Sequence, residues 1–212
     1  MNTYILSSMF PNGFNNQVAE ELNRLIQNRN KFAFIASEFE GNYKKTDEYF
    51  RLFLNMFREK DMIFQEACVV DGRMAKEDAR RKVEEADVVW LSGGDTIVEH
   101  QYLLEYGLDE VIRQHTGIVI GMSAGAINLS KTSICTLSCG HCEQKIYQGL
   151  GCVDISVEPH FEVEKISEEL LELSKKYDLY GLCDNSIIIC HNGKTDFLGE
   201  VYKIKAGEVY RI

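Results

Sequence analysis

The sequence predicts an α/β fold in which a mostly parallel sheet carries helices on both faces and ends in an antiparallel carboxyl-terminal edge. Short apolar runs alternate with amphipathic stretches over residues 4–129, which is typical of strands joined by crossover helices. The apolar runs at 88–91 and 117–120 lead into glycine-containing turns, where a backbone can approach a ligand closely. Asn192-Gly193 and, more weakly, Ala206-Gly207 indicate hairpins. We expect residues 1–212 to form one domain.

Apolar periodicity places the individual elements in chain order. Strands are expected at residues 4–6, 32–36, 62–70, 88–91, 117–120, 153–157 and 187–190. Helices are expected at residues 15–28, 47–59, 76–86, around 98–104, after Asp109, and at 163–176. The aromatic stripe from Tyr49 to Phe57 is typical of a buried helix face. Residues 130–151 are polar and weakly periodic, which predicts a long loop or short irregular strands.

Composition excludes several classes of protein. Hydrophobic residues make up 45% and charged residues 26% of the chain, as in ordinary soluble globular proteins. A formal charge of -10 argues against a nucleic acid or an anionic membrane as partner. No apolar run approaches the roughly 18 to 20 residues that span a bilayer, and the amino terminus lacks the pattern of a signal peptide. We therefore expect a cytoplasmic protein whose seven cysteines are reduced thiols.

One serine stands between a predicted strand and a predicted helix. Residues 121–126 read Gly-Met-Ser-Ala-Gly-Ala, so glycines lie two positions before and after Ser123. Without Cβ atoms at these positions the chain can turn sharply, expose the serine, and point the first helical amides at a reacting group. This pattern predicts a nucleophile elbow, and the alternative is a plain strand-to-helix turn. Gly93-Gly94 would emerge at the same edge of the sheet.

A serine nucleophile needs an adjacent base, usually a histidine that a carboxylate orients. His160 is the candidate, because it ends a strand that we expect in the same sheet as Ser123, and Pro159 restricts the backbone before it. Surface or structural roles are the simpler interpretation for the other four histidines, His100, His115, His141 and His191.

The cysteine-rich segment allows two further interpretations. Cys135, Cys139, His141 and Cys142 could form a zinc site, and Cys139 with Cys142 has the spacing of a redox dithiol. Zinc ligands usually come in separated pairs, and a redox dithiol is expected at a helix start in a thioredoxin-like fold. The prediction is therefore free thiols in a loop near the cleft, with no metal and no cofactor.

Three segments together resemble the dipeptidase E and cyanophycinase family of serine peptidases. They are Ser92-Gly93-Gly94-Asp95-Thr96, the motif at 121–126, and Glu158-Pro159-His160-Phe161. The resemblance extends over roughly residues 3–204. It implies a flavodoxin-like three-layer sandwich similar to class I glutamine amidotransferases, and cofactor-free hydrolysis of peptide bonds next to aspartyl residues.

The resemblance also implies residue roles. Ser123 would be the nucleophile, His160 the base, and the backbone amides of Gly94 and Ala124 the oxyanion hole. One family assignment places the third triad member downstream of the serine, where this chain has Thr136-Leu137-Ser138-Cys139 and no carboxylate.

A second family assignment uses a Glu in a G-x-x-E-like stretch, which Gly181-Leu182-Cys183-Asp184 matches with an Asp. Asp184 is therefore the candidate acid, and Glu158 is the reserve. The Arg that aspartyl dipeptidases carry near the loop after the serine is absent, because Lys131-Thr132-Ser133-Ile134 takes its place. The resemblance therefore does not extend to aspartyl specificity.

The predicted function is a serine hydrolase, an exopeptidase or dipeptidase that cleaves small peptides through an acyl-enzyme. An esterase or other acyl hydrolase would use the same groups on a different leaving group. A catalytically silent small-molecule-binding module on the same fold is the alternative from another class. A glutamine amidotransferase is disfavoured, because those enzymes use Cys where this chain has Ser123.

Overall fold

The computed structural model describes residues 2–212 and folds them into strands and α-helices that alternate along the first half of the chain. The strands are β1 Thr3–Ser7, β2 Lys31–Ile35, β3 Glu66–Val70, β4 Val88–Leu91, β5 Ile118–Met122, β6 Thr132–Cys135, β7 Lys145–Gln148, β8 Ser156–Pro159, β9 Leu179–Leu182, β10 Ile187–His191, β11 Lys194–Leu198, β12 Val201–Lys205 and β13 Glu208–Arg211. The helices are α1 Asn16–Leu25, α2 Tyr43–Arg58, α3 Lys76–Glu84, α4 Thr96–Glu105, α5 Leu108–Gln114, α6 Ala124–Leu129 and α7 Glu168–Leu173.

The central sheet has seven strands in the order β11-β10-β1-β5-β4-β2-β3. Five neighbouring strands of this sheet run parallel: β1, β5, β4, β2 and β3. In contrast, β10 is antiparallel to β1, and β11 is antiparallel to β10. The β10–β11 hairpin turns at Asn192-Gly193, where the sequence predicts it. The predicted fold class is confirmed: a mostly parallel sheet with an antiparallel edge.

Hydrophobic side chains cover both faces of this sheet. Successive strand residues point to opposite faces, so Leu6 joins one core cluster while its neighbour Ile5 joins the other. The cluster around Leu6 includes buried residues of α3, α4, α5 and α6. The cluster around Ile5 includes buried residues of α1 and α2. Helices therefore pack on both faces and form the three layers.

A second sheet of four strands, in the order β13-β12-β9-β8, lies beside its own core cluster. The strand before His160 is β8, and it pairs in parallel with β9. The prediction that this strand shares a sheet with Ser123 is therefore wrong. The physical reason is that β5 already pairs with β1 and β4, and the other side of β1 is taken by β10.

Two local predictions also differ from the structure. The helix predicted at 163–176 is a 3₁₀ turn at Val163–Lys165 followed by α7, which begins where the Ser167 hydroxyl accepts the amide of Leu170 at 3.1 Å. Of the strand predicted at 62–70, only the second half forms a strand in the structure, which is β3. Residues 130–151 were predicted as a long loop or short irregular strands, and they contain the short β6–β7 hairpin, with Ser133 opposite Tyr147.

No helix in the part of the chain that the structure describes is long and apolar enough to cross a membrane.

Candidate active site

Ser123 occupies the sharp turn between β5 and α6. Its backbone has a φ of 52° and a ψ of -108°, a region that residues other than glycine rarely adopt. The Ser123 amide donates to the carbonyl of Ser7 at 2.9 Å, which continues the pairing of β5 with β1 up to the turn. The strained residue is therefore fixed by the neighbouring strand.

The two glycines of the serine motif pack where no side chain would fit. A Cβ on Gly121 would lie 2.6 Å from the backbone of Gly125. A Cβ on Gly125 would lie 2.6 Å from the Cβ of Leu91, at the end of β4. Because both positions lack a Cβ, α6 begins directly against the ends of β4 and β5.

His160 and Asp184 extend a hydrogen-bonded chain from Ser123. The Ser123 Oγ lies 2.9 Å from Nε2 of His160, and Nδ1 of His160 lies 3.1 Å from Oδ1 of Asp184. Each ring nitrogen has its own partner, so a proton on Nδ1 leaves the Nε2 lone pair free to accept from the serine. The side chains of His160 and Asp184 are 52% and 40% exposed, so the site is open to solvent. The structure thus brings these three predicted residues together.

The parallel pairing of β8 with β9 explains why the histidine and the aspartate meet. Pro159 pairs with Leu182, so the residues that follow these two strands emerge at the same sheet edge. His160 follows Pro159 directly with a φ of 55°, and Asp184 follows Leu182 by two positions.

Ser8 is a site residue that the sequence analysis missed. It is fully buried just after β1, where its hydroxyl donates to Oδ1 of Asp184 at 2.6 Å and accepts the amide of His160 at 2.9 Å. The amide of Met9 donates to the same aspartate oxygen at 3.3 Å. Ser8 therefore connects the histidine to the carboxylate. The available signal was its position, since it follows the strand that pairs in parallel with β5.

Glu158, the reserve acid, belongs to a different cluster. It is buried and accepts the Thr136 hydroxyl at 3.0 Å and also the Ser138 hydroxyl. Burial raises the pKa of Glu158 above its usual value. No hydrogen bond within residues 2–212 joins Glu158 to His160, so the geometry favours Asp184 as the orienting carboxylate.

Two backbone amides beside Ser123 have no acceptor of their own. Ala124 is the first residue of α6, so its amide has no partner within the helix. The amide of Gly94 makes no hydrogen bond to any residue in the range 2–212. The preceding Gly93 lies against the serine, since a Cβ there would lie 3.2 Å from the Cβ of Ser123. Neither amide therefore has a hydrogen-bond acceptor among residues 2–212.

A cavity of about 250 Å³ adjoins Ser123 and His160. Apolar side chains such as Phe34 and Met122, both part of the core cluster under α1 and α2, form one side. Other lining residues come from α2 and the loop that precedes it: Ser37, Glu38, Asn42, Lys45, Thr46, Tyr49 and Phe53.

The aromatic stripe of α2 serves this cavity as well as the core. Phe53 and Phe57 are buried, as the stripe predicts, but Tyr49 is 39% exposed and lines the cavity together with Phe53. Helical spacing is the same for a core contact and a cavity contact. The spacing of the aromatic residues in α2 therefore could not predict that this helix borders the site.

The cysteine-rich segment lies beside the loop after β4. Cys135 is buried and Cys142 is exposed, and all seven cysteines have free thiols. His141 Nε2 lies 3.6 Å from Oδ1 of Asp95, the residue that caps α4. Across the described range 2–212, no group of three or more His, Cys, Asp or Glu side chains is arranged to hold a metal ion. Of the five histidines, all within that range, His160 alone lines the cavity.

Two solved structures share this fold. The structure of a peptidase from an acI-B1 Actinobacterium superposes with a TM-score of 0.75 and 18% identity, and the match covers 100% of this chain and 94% of that one. A 1.5 Å structure of a putative peptidase E protein from Listeria monocytogenes EGD-e gives a TM-score of 0.68 and 18% identity, covering 93% and 98%. Curated protein sequences give no significant match.

The sequence model of peptidase family S51 matches residues 5–198, which include the central sheet from the third residue of β1 to the end of β11 as well as Ser123, His160 and Asp184. This match also confirms the resemblance read from the three motifs. The chain belongs to peptidase family S51.

Proposed function

We propose that this chain is a serine peptidase that cleaves small peptides, with Ser123 as nucleophile, His160 as base and Asp184 as the acid that orients the base. The observation that carries the proposal is the continuous hydrogen-bonded chain Ser123–His160–Asp184 on the wall of a cavity. Membership of a peptidase family supports the peptide bond as the substrate.

In the proposed reaction, His160 Nε2 accepts the proton of Ser123 as the serine Oγ attacks the peptide carbonyl. Asp184 accepts a hydrogen bond from the Nδ1–H group, keeps its negative charge, and stabilises the imidazolium that forms. His160 then donates its Nε2 proton to the leaving amine, and an acyl-enzyme remains on Ser123. Water, activated by the same histidine, hydrolyses the ester and regenerates the serine.

The amides of Gly94 and Ala124 are the proposed oxyanion hole. Charge develops on the carbonyl oxygen during attack, and each backbone donor of this kind is worth about 100- to 1000-fold in rate. The Ala124 amide also lies at the positive end of α6. Neither amide has an acceptor among residues 2–212, which supports this assignment.

The size and charges of the cavity support small, charged substrates. Its volume of about 250 Å³ lies below the roughly 300–1000 Å³ of sites for drug-sized ligands. Glu38 and Lys45 line it, and neither forms an ion pair with another described residue. Lys45 instead lies with its Nζ 5.7 Å from the ring centroid of Tyr49. A free short peptide offers an ammonium group for Glu38 and a carboxylate for Lys45.

The proposal is tested by active-site labelling. A fluorophosphonate probe is expected to label the wild type at Ser123, located by peptide mapping, and the same protein is expected to hydrolyse short peptides. Ser123→Ala should lose both the label and the activity, whereas Ser37→Ala, which changes another serine of the same cavity, should still be labelled at Ser123. Labelling without peptide hydrolysis would point to an esterase. An unlabelled wild type would point to a silent binding module.

The two charged wall residues give a second prediction. N-acetylation or C-amidation of a good dipeptide substrate should lower kcat/KM about 10-fold, as expected for loss of one solvent-exposed charge-assisted hydrogen bond. Glu38→Gln should cleave the acetylated and the free peptide at similar rates. Lys45→Gln should cleave the amidated and the free peptide at similar rates. The measurement is kcat/KM for each enzyme and peptide pair.

Matched controls come from neighbouring charges outside the cavity lining. Glu40→Gln and Lys44→Gln should keep the wild-type preference for both free ends, since neither residue lines the cavity. If all four variants discriminate as the wild type does, Glu38 and Lys45 do not bind the peptide ends.

A further inference from the structure

Two buried polar side chains tie together the helices that follow the two candidate oxyanion donors. Helix α4 begins two residues after Gly94, and α6 begins at Ala124. Glu99 of α4 and Asn128 of α6 are both fully buried and are in contact with each other. Neither side chain takes part in the proposed chemical steps.

The Asn128 side chain, on α6, forms hydrogen bonds through both its amide nitrogen and its amide oxygen, and these connect α6 to α4 and β7. Its Nδ2 donates to the carbonyl of Thr96 at 2.9 Å and to Oε2 of Glu99 at 2.8 Å. Its Oδ1 accepts the hydroxyl of Tyr147, on β7, at 2.6 Å. A backbone carbonyl can only accept, so the amide nitrogen must face α4, and the orientation of Asn128 is fixed.

Glu99 is fully buried in the protein interior. Burial raises its pKa well above the usual value, and no cation among the described residues pairs with it. Its Oε2 accepts from Asn128, and its Oε1 has no hydrogen-bond partner within residues 2–212. A neutral side chain of the same shape could therefore make the same contact.

We propose that Asn128 and Glu99 are positioning residues that fix the spacing between the amides of Gly94 and Ala124, and so set the geometry of the oxyanion hole. The inference rests on the proposed function. Thr96 and Ala124 are the first residues of their helices, so a shift of α4 against α6 moves the two donors relative to each other. Oxyanion donors act over about 2.7–3.1 Å, and a displacement of about 1 Å can lower a rate about 100-fold.

The test separates the rate of each competent site from the number of such sites. Wild type, Asn128→Leu, Glu99→Leu, Glu99→Gln and Tyr147→Phe are titrated with a fluorophosphonate, which gives the labelled fraction and the inactivation rate constant. Michaelis constants are measured with a short peptide. Asn128→Leu and Glu99→Leu should be labelled to completion but about 10- to 100-fold more slowly, with kcat reduced to the same extent and KM nearly unchanged.

Conservative variants keep the test informative if a leucine variant does not fold. Glu99→Gln should react at nearly the wild-type rate, because an oxygen that accepts from Asn128 is kept. The rate of Tyr147→Phe should fall between those of Glu99→Gln and Asn128→Leu. Ser156→Ala is the control, since it removes a different buried hydrogen bond, from the Ser156 hydroxyl to the carbonyl of Thr132 at 2.6 Å. It should leave the rate constant per labelled site unchanged.

Four results would overturn the inference. Glu99→Gln as slow as Glu99→Leu would show that the charge of Glu99 matters. Variants with fewer labelled sites but wild-type rate constants would show a role in folding alone. A wild type that reacts with neither probe nor peptide would overturn the proposed function and this inference with it, whereas reactive wild type with unaffected variants would overturn this inference only.

Discussion

Replacement of His160 by alanine is expected to lower kcat/KM for peptide hydrolysis by about 10⁴- to 10⁶-fold, as loss of the base does in triad enzymes. The Nε2 atom that faces the Ser123 hydroxyl at 2.9 Å would be absent, and no other histidine lines the cavity in the range 2–212. The measurement is steady-state kinetics with a short peptide. Added imidazole should restore part of the activity, because the replaced ring leaves a space open to solvent.

The matched control is His191→Ala. His191 lies at the end of β10, with Nδ1 2.6 Å from the hydroxyl of Thr3, at the end of β1 opposite to Ser8. Its replacement should leave kcat/KM within about 2-fold of the wild type, since it is a change away from the site. Retention of more than a tenth of the activity in His160→Ala would exclude His160 as the base.

Conversion of Asp184 to asparagine should lower kcat by about 10³- to 10⁴-fold with little change in KM. The amide would keep the shape of the side chain but could present its NH₂ group to His160, which favours the wrong tautomer of the ring. Oδ1 of Asp184 also accepts from Ser8 and from the amide of Met9, so the loop should stay in place. The measurement is kcat and KM together with the fluorophosphonate inactivation rate.

Glu158→Gln is the paired control for this prediction. Glu158 accepts from Thr136 and Ser138, so its replacement should change stability more than rate. A large loss of kcat in Glu158→Gln, with Asp184→Asn near the wild type, would transfer the orienting role to Glu158.

A site residue could be predicted from the sequence where its role depends on residues close to it along the chain. The turn around Ser123 is encoded within six residues, because the glycines at 121 and 125 are required by contacts inside that same segment and with β4. His160 was selected because it ends a strand, which is a local property, and because that strand was expected in the sheet of Ser123, which is wrong. The local part of the argument was therefore sufficient to find His160, although the expected pairing was not the observed one.

Asp184 and Ser8 depend on pairing between distant segments. Asp184 reaches His160 because β8 and β9 are parallel neighbours, yet their sheet was not expected. Ser8 reaches Asp184 because β1 lies between β5 and β10. Nothing in the local pattern distinguishes these neighbours from others, so the motif resemblance could suggest Asp184 but gave no reason to consider Ser8. The exposed wall of α2 was missed because its spacing matches that of a core helix.

The division of the site between two sheets has a consequence for folding. Ser123 stands on the seven-stranded sheet, whereas His160 and Asp184 follow strands of the four-stranded sheet. The proposed nucleophile and base therefore come together only when these two sheets pack against each other. Ser8, just after the first strand of the chain, connects the sheets through its hydrogen bonds to Asp184 and His160. Recovery of activity during refolding would then report that packing step. A partly folded chain with a complete central sheet would have no peptidase activity and would not cleave neighbouring chains.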